Sequence, residues 1–421
     1  MKRQKLVAVA AVAALVGTFG LASVGTAGAK VASQSSVRGV TSTSIKVAGI
    51  CDTTGVGAAA GAKARFDAEN AKGGTLGRKW DFQSECNNDS DDANQDLTIG
   101  KRLVQQDGVF GVVPVQTPTL ASAPFFAQQK VPFAGWGIST GFCKNPYAAA
   151  FTGCIVPPTN IKTTGTTWGA LVDGLFKKQG SSAKGKTAAV ITEDDDSGKV
   201  GAVVVGAQAK VNGMKLVYAK AALPPPTQTV GDYTPYVQAL MTSASGKAPD
   251  VIFVTTAFAN VLGLSGALLQ AGYKGILTNA VAYDPALIKA ATGQSVFTQF
   301  DLPEDTSNAN MVQIVKDMNN GGVPTNKIGQ PALAGYFAAD MFIAVTKKAG
   351  KNLTPDSWAK ALSKFTYQIK GVVGPTKYPQ SQTQGAPCGT LVTSNGTAYE
   401  ISVPYACYKN INYTTLKPIK Y

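Results

Sequence analysis

The sequence predicts an α/β fold of two doubly wound lobes, each built on a parallel sheet. Residues Ser44 to Cys86 have the pattern of one complete strand, helix and strand. The same alternation continues along the chain, breaks in a Gly-, Cys- and Pro-rich passage from Gly141 to Asn160, and then starts again. The length of 421 residues exceeds one ordinary core. We therefore expect two lobes, with a candidate hinge near residue 160.

The first strand, helix and strand unit shows the periodicities on which this prediction depends. Apolar residues alternate with polar or small ones from Ile45 to Cys51, as in a strand with one face on a helix. Ala59, Ala62 and Phe66 lie three and four residues apart, so they share one face of a helix that ends at Gly73-Gly74. The alternation then resumes, as in the second strand of a right-handed crossover.

The remaining elements follow from the same periodicities. Strands are predicted at 109–113, 131–134, 187–192, 215–219, 251–254 and 275–278. Helices are predicted at 93–105, 120–129, 165–178, 199–212, 231–245, 260–271, 309–319, 331–349 and 355–364. From Val372 strand and turn signals dominate, and Ser394-Asn395-Gly396 predicts a hairpin turn. This tail is too short for a third domain, so we expect it to complete one of the lobes.

Residues 1–29 predict a signal peptide rather than part of the fold. Three positive charges in the first five residues precede an apolar run from Leu6 to about Val24, and Ala27-Gly28-Ala29 offers a cleavage site. An uncleaved membrane anchor is the alternative. The small residues of the run and the cleavage motif favour export to the periplasm or the outer face of the cell envelope. No cysteine stands at the cleavage point, so we expect no lipid anchor there.

The six cysteines fit an exported protein with structural disulfides. The nearest neighbours in sequence are Cys51 with Cys86, Cys143 with Cys154, and Cys388 with Cys407, although other pairings remain open. None has the Cys-x-x-Cys spacing of a redox or zinc site. A bridge between the first pair would join the ends of two neighbouring parallel strands, and the third pair would brace the predicted hairpin.

Composition excludes several classes of function. The chain has 39 Lys and Arg against 25 Asp and Glu, a formal net charge of +14, but the positive residues are scattered. This pattern disfavours a nucleic-acid partner. The chain has no histidine, which excludes histidine-dependent nucleophilic catalysis, a histidine general base and histidine metal ligands. We expect no enzyme activity, no cofactor and no metal site.

Two local patterns have an alternative interpretation. The run Glu193-Asp194-Asp195-Asp196 follows a predicted strand and could hold magnesium or calcium, but it matches no EF-hand spacing, so a solvated acidic turn is preferred. The stretch Gly55 to Gly61 follows the first strand, superficially as in a nucleotide-dependent enzyme. Its glycines are one residue too far apart, so such an enzyme is a remote alternative.

One motif resembles a known family. Phe66-Asp67-Ala68-Glu69-Asn70-Ala71-Lys72-Gly73-Gly74, continued by Leu76-Gly77-Arg78-Lys79, resembles the first helix and turn of type I periplasmic substrate-binding proteins of ABC importers. This group includes the leucine/isoleucine/valine receptors. Weaker similarities follow in the family's order at 112–121, 132–136, 194–198, 248–253, 272–277 and 371–378. The resemblance spans about residues 43 to 380.

The resemblance implies a receptor whose two lobes are joined by a three-strand hinge and close on a small ligand. Residues 43–159 with 286–369 would form lobe one, and residues 160–285 with 370–421 lobe two. The implied partners are a small molecule and the permease of an ABC importer, and we expect a monomer. A ligand sensor or an envelope interaction module on the same fold is the alternative function, which the sequence leaves open.

Alignment with the family places the ligand cleft at the loops that follow the strands. In lobe one the candidate residues are Thr53, Thr54, Gln116, Thr117, Thr119, Trp136, Gly137, Ile138 and Ser139. In lobe two they are Asp196, Ser197, Thr255, Thr256, Phe258, Asn279, Tyr283 and Asp284. Structural roles are the alternative for some of them, because Thr117 and Thr119 can cap the next helix and Trp136 can pack in the hinge.

Lobe two departs from the family's amino-acid receptors at two positions. Ser197 stands where they have a tyrosine, and Ala280 stands where they have the carboxylate that holds the ligand's ammonium group. Without that carboxylate an ordinary branched-chain amino acid loses a charge-assisted partner. We therefore expect another small polar organic ligand: a small carboxylate, an amide or an aromatic compound.

Overall fold

The computed structural model describes residues 37–420 of the chain. The predicted signal peptide at 1–29 lies outside the described residues. In the described part, no helix is both long and apolar enough to cross a membrane.

The first sheet has five parallel strands. In chain order they are β1 (Ser44–Cys51), β2 (Lys79–Asn88), β3 (Gly111–Gln116), β4 (Phe133–Gly135) and β5 (Ala148–Ala150). They lie in the order β2-β1-β3-β4-β5, which is the order of a doubly wound sheet. Two of its crossovers run through α1 (Ala58–Ala71) and α2 (Ala93–Gln105), and the short α3 (Ala123–Gln128) precedes β4.

The alternation in β1 explains why helices cover both faces of this sheet. Ile45 and Val47 are buried in the core that includes Phe66 of α1, whereas Ile50 is buried on the other face with Leu103 of α2. Successive side chains of a strand point to opposite faces, so a strand that is apolar at both sets of positions needs two layers of helices.

The second sheet has seven strands. Five are parallel: β7 (Thr187–Glu193), β8 (Lys215–Leu223), β9 (Val251–Thr255), β10 (Ile276–Asn279) and β11 (Gln294–Thr298). The hairpin of β14 (Cys388–Ser394) and β15 (Tyr399–Cys407) extends the sheet in the antiparallel sense, giving the order β15-β14-β11-β10-β9-β7-β8. The helices among these strands are α4 (Thr167–Lys178), α5 (Asp196–Val211), α6 (Thr234–Met241) and α7 (Phe258–Gln270). The predicted α/β class, with its two doubly wound lobes, is confirmed.

The remaining elements complete the two lobes. The last three helices are α8 (Ala309–Asn320), α9 (Gln330–Ala349) and α10 (Pro355–Leu362). The remaining short strands are β6 (Thr163–Gly165), β12 (Thr366–Ile369), β13 (Val373–Lys377), β16 (Asn410–Asn412) and β17 (Pro418–Ile419). The chain passes between the two sheets three times, at 151–166, 299–308 and 378–387.

Two segments lie elsewhere than the predicted lobe boundaries placed them. β11 belongs to residues 286–369, which were assigned to lobe one, but it is hydrogen-bonded between β10 and β14 in the second sheet. β13 and Tyr378 were assigned to lobe two, yet β13 pairs with β12, which was assigned to lobe one. The Tyr378 hydroxyl also accepts a hydrogen bond from the Ala150 N–H of the first sheet at 2.8 Å. The rest of the division into lobes remains a prediction.

The three disulfides pair as the sequence predicts: Cys51 with Cys86, Cys143 with Cys154, and Cys388 with Cys407. The third joins residues that face each other across the β14–β15 hairpin. That hairpin turns at Ser394-Asn395-Gly396, as predicted, and the Asn395 side chain accepts the Ala398 N–H at 2.9 Å.

A backbone contact between α1 and α9 sets the position of both helix starts. A Cβ atom at Gly61 would lie 1.7 Å from the Ala332 carbonyl oxygen, and one at Gly335 would lie 2.0 Å from that of Ala58. Any side chain at either position must push the helices apart. The two glycines therefore allow α9 to begin beside the loop that follows β1.

We predict that Gly335→Ala lowers the free energy of unfolding by about 1 to 3 kcal/mol, because overpacking forces the α1–α9 backbones apart. Urea denaturation followed by circular dichroism measures the change. Gly266→Ala in α7 is the matched control, since a Cβ atom there meets nothing within 4 Å. It should be neutral or stabilising by up to about 1 kcal/mol. Equal effects of the two substitutions would contradict the role given to the helix contact.

Candidate functional site

A cavity of about 530 Å³ lies between the two sheets. On one side it is lined by loops that follow β1, β3 and β4, and on the other by loops that follow β7, β9 and β10. The carboxyl ends of parallel strands meet at one edge of a sheet, and this is where open α/β sheets bind ligands. The volume lies within the usual range for small-molecule pockets.

The structure brings most of the predicted site residues to this cavity. Those that line it are Thr53, Thr54, Gln116, Trp136, Ile138, Ser197, Thr255, Thr256, Phe258, Tyr283 and Asp284. The candidates that lie outside its lining are Thr117, Thr119, Gly137, Ser139, Asp196 and Asn279. Contact of any of these residues with a ligand remains a prediction.

Several of the residues outside the lining have local structural roles. The Thr117 hydroxyl accepts the Thr119 N–H at 3.0 Å, and the Ser139 hydroxyl accepts the Gly141 N–H at 3.2 Å. The Asn279 side-chain oxygen accepts the Ala282 N–H at 2.9 Å. These side chains fix the loops that carry the cavity wall.

Trp136 has both of the roles that the sequence allowed. It lines the cavity, and its indole N–H donates to the side-chain oxygen of Gln299 at 3.1 Å. Gln299 lies in the second connection between the sheets, at 299–308, and it also lines the cavity. A ligand at Trp136 would therefore touch a side chain that is bonded to the hinge.

Most of the cavity wall is apolar, and much of it was missed in the sequence. Trp168 of α4 and Phe297 of β11 stack with ring centroids 5.2 Å apart, and the Trp168 indole N–H donates to the Thr278 hydroxyl at 2.9 Å. Val204 and Val205 of α5 also line the cavity. The signal in the sequence that could have indicated this apolar wall is Trp168, which comes just after the passage between the sheets at 151–166.

Besides Asp284, which the sequence predicts, four carboxylates that were not predicted line the cavity. Asp52 and Asp91 come from the first lobe, and Glu193 and Asp195 come from the second. The interpretation of 193–196 as a solvated acidic turn holds for Asp194 and Asp196, which are exposed, but not for Glu193, which is only 5% exposed. In the described part of the chain, no group of three or more acidic or cysteine side chains is arranged to hold a metal ion.

Three of these carboxylates accept backbone N–H groups at the start of a helix or turn. Asp52 accepts the Gly55 N–H, Asp195 accepts the Gly198 N–H in the first turn of α5, and Glu193 accepts the Ala257 N–H at the start of α7. Glu193 also accepts the side-chain amide of Asn260 at 2.6 Å. These bonds satisfy donors that a helix start otherwise leaves without a partner.

Burial and mutual repulsion make these carboxyl groups weaker acids. Burial, with the negative charges of Asp195 and Asp91, raises the pKa of Glu193 to about 7. Burial, with the charges of Asp52 and Asp195, raises the pKa of Asp91 to about 6. Because Asp91 and Asp195 belong to different lobes, the repulsion acts across the cleft.

Several buried polar atoms of the wall have no hydrogen-bond partner within the protein. They are Gln116 Oε1, Gln330 Oε1, Thr167 Oγ1 and Thr255 Oγ1. Gln116 is 5% exposed and Gln330 is 1% exposed. Buried polar atoms almost always have a partner, so these four indicate where a ligand or bound water completes the site.

Comparison with known proteins decides the family. The pattern described as Periplasmic binding protein matches residues 44–398, which is most of the chain. The chain belongs to the periplasmic binding protein family. This confirms the resemblance that begins in α1, and no curated protein sequence matches the chain.

Solved structures of substrate-binding proteins share the fold of this periplasmic binding protein. A fatty acid ABC transporter substrate-binding protein from Thermomonospora curvata is 17% identical with a TM-score of 0.69, covering 87% of this chain and 94% of that one. A solute-binding protein from R. palustris, in complex with 4-hydroxybenzoate, is 17% identical with a TM-score of 0.66, covering 87% and 97%. A leucine-binding protein from Thermotoga maritima is 16% identical with a TM-score of 0.64, covering 85% and 97%.

The family and these similar structures are transport proteins that bind substrates, rather than enzymes. The glycine stretch after β1 agrees with this. A phosphate bound there would need the Gly55 N–H as a donor. In this periplasmic binding protein that N–H is bonded to the Asp52 carboxylate. Export, which the signal peptide and disulfides predict, is a general property of the family.

We predict that Glu193→Gln stabilises the ligand-free protein at pH 8 relative to pH 5. A carboxyl group with a raised folded-state pKa contributes stability that is complete below its unfolded pKa and is lost as pH rises through about 7. Glutamine keeps an oxygen that can accept the Ala257 N–H, and it has no proton to lose, so it stays uncharged at both pH values. The gain in free energy of unfolding should be on the order of 1 to 3 kcal/mol, at about 1.4 kcal/mol per pKa unit.

Urea denaturation at pH 5 and pH 8 measures this difference. Glu400→Gln is the control, because Glu400 is an exposed carboxylate on β15 outside the cavity. It should change stability equally at the two pH values. An equal effect of Glu193→Gln at both would show that burial and repulsion do not act on Glu193 as described.

Proposed function

We propose that this protein captures a small organic molecule between its two lobes, outside the cytoplasm, and delivers it to the permease of an ABC importer. The observation that carries the proposal is the cavity whose wall is shared by both sheets. Family membership supports it, since proteins of this type supply substrates to ABC transporters. We propose further that the receptor acts as a monomer.

The mechanism we propose is closure of the lobes about the three connections. A ligand that contacts both walls binds the closed form more tightly than the open one, so it shifts the population toward closure. The Trp136 to Gln299 hydrogen bond gives the ligand contact with one of those connections. The permease would then recognise the closed form.

The cavity supports a ligand with a substantial apolar part. Aromatic and aliphatic side chains form most of its wall, and hydroxyl, amide and carboxylate groups provide a smaller polar region. The similar structures include a fatty acid transporter protein, a complex with 4-hydroxybenzoate and a leucine-binding protein, and all three molecules have an apolar body. We propose a small organic ligand with such an apolar body that is not an ordinary branched-chain amino acid.

The proposal can be tested although the ligand is unidentified. The mature protein is incubated with a small-molecule extract, and bound molecules are identified by non-denaturing mass spectrometry. Small-angle X-ray scattering then measures closure, and uptake into vesicles that contain the permease measures delivery. Ligand-dependent closure without any effect on uptake would favour the sensor alternative, and absence of any bound molecule would overturn the proposal.

We predict that Gln116→Ala weakens binding of the molecule so identified by about tenfold, as expected for loss of one buried hydrogen bond. Gln116 ends β3, and its side-chain oxygen has no partner in the protein. Titration calorimetry gives the affinity. Gln313→Ala is the control, because Gln313 lies exposed on α8 outside the cavity. If the two variants bind alike, Gln116 is not a ligand contact.

A further inference from the structure

We infer that the ligand carries a positively charged nitrogen on a largely apolar body. Its cationic end would lie between Asp52 and Asp91 of the first lobe and Glu193 and Asp195 of the second. This inference names the substrate class of the proposed receptor and therefore rests on the proposed function. It replaces the expectation of a small carboxylate.

The charge of the cavity is opposite to that of the whole chain. The chain has a formal net charge of +14, yet the described residues that line the cavity include five carboxylates, with Asp284 as the fifth, and no Lys or Arg. The nearest compensating cation on this segment, Lys199, is exposed and pairs with Asp194 at 2.9 Å. A ligand carboxylate would thus enter a negatively charged site without a cationic partner.

Three backbone donors that could replace such a partner are already occupied. Anions commonly bind N–H groups at helix starts. Here the Gly55, Gly198 and Ala257 N–H groups, which belong to the cavity wall or directly adjoin it, are bonded to Asp52, Asp195 and Glu193. An anionic ligand that used these three donors would have to displace these bonds and then remain beside the displaced carboxylates.

The unpartnered side-chain atoms also favour a ligand with hydrogen-bond donors. Gln330 donates its amide N–H to the Ala280 carbonyl at 2.8 Å, which leaves its buried side-chain oxygen as a free acceptor. Gln116 likewise has a buried side-chain oxygen without a donor. An ammonium group has up to three N–H donors and no acceptor, so it matches these atoms and the carboxylates together.

The apolar wall completes the recognition. Trp136, Trp168 and Phe258 line the cavity beside the aliphatic side chains of Val204 and Val205. These surfaces would bury an apolar body, and aromatic faces also attract cations. A molecule that combined an ammonium group with such a body would use both parts of the wall.

A cation would also relieve the repulsion that opposes closure. Asp91 and Asp195 line the same cavity from different lobes, and the charge of Asp195 disfavours the charged form of Asp91. Closure without a ligand would bring these charges into a smaller, drier space, where like charges repel more strongly. A positive charge between them would convert this repulsion into attraction, so binding and closure become coupled.

The test uses three probes that share one apolar body: phenethylamine, 3-phenylpropionate and 2-phenylethanol. Titration calorimetry at pH 7.5 and low salt compares their affinities, and octylamine against octanoate repeats the comparison with an aliphatic body. We expect each amine to bind at least about tenfold more tightly than its carboxylate counterpart, the scale of one charge-assisted hydrogen bond. Only the amines should produce closure in small-angle scattering.

Charge-neutral variants locate the effect. Asp91→Asn and Asp195→Asn keep the side-chain size, and Asp195→Asn also keeps the oxygen that accepts the Gly198 N–H. Each should weaken phenethylamine binding by about tenfold. Asp232→Asn is the matched control, because exposed Asp232 accepts the Thr234 N–H near the start of α6 and does not line the cavity. It should leave binding within about twofold, a change of less than 0.5 kcal/mol on the scale of about 1.4 kcal/mol per tenfold.

The outcomes separate this inference from the proposed function. A carboxylate probe that binds as tightly as its amine, or no binding of either amine at millimolar concentration, overturns the inference. If the extract screen still yields an anionic or neutral ligand that closes the lobes, the proposed function is supported and the inference of a cationic ligand is wrong. If no molecule of any class binds, both fail. Equal loss in Asp195→Asn and Asp232→Asn would also overturn the inference, because the effect would then be one of net charge.

Discussion

The hydrogen bonds between carboxylates and backbone N–H groups at the edge of the cavity are the constraint on which this structure depends. A helix start that is buried between two lobes must find acceptors for its N–H groups. Asp52, Glu193 and Asp195 supply them. The same side chains bring negative charge to the cavity wall. A local requirement of the fold therefore places negative charge on the cavity wall.

This arrangement needs the helix starts to be held in place. The close approach of α1 and α9 at Gly61 and Gly335 brings the two helix backbones into direct contact. The start of α9 is also bonded across the cleft, from the Gln330 amide to the Ala280 carbonyl. Packing thus fixes the positions of the donors, and the carboxylates set the charge of the cavity wall.

The success of the sequence predictions depended on whether a segment's polarity matched its burial. α2 has the predicted limits, because its amphipathic pattern follows a side-chain cap at Asp92. β11 was not recognised as a strand, since Gln294, Ser295 and Thr298 are polar but buried. Neighbours satisfy these groups, as in the Ser295 to Thr393 hydrogen bond at 2.9 Å. Such pairings are formed in three dimensions and have no local sequence pattern.

At the site, too, the positions of the loops could be predicted from the sequence, but the charge of the cavity could not. Loops that follow strands could be placed from the sequence, so Gln116 and Trp136 were found, but the convergence of Asp91 with Asp195 depends on two lobes meeting. The absence of a carboxylate at position 280 therefore does not mean that the cavity lacks negative charge. A charge that one position of an alignment lacks can be supplied from another wall of the same cavity. Net composition hides this too, because scattered surface lysines dominate the total while the cavity has the opposite sign.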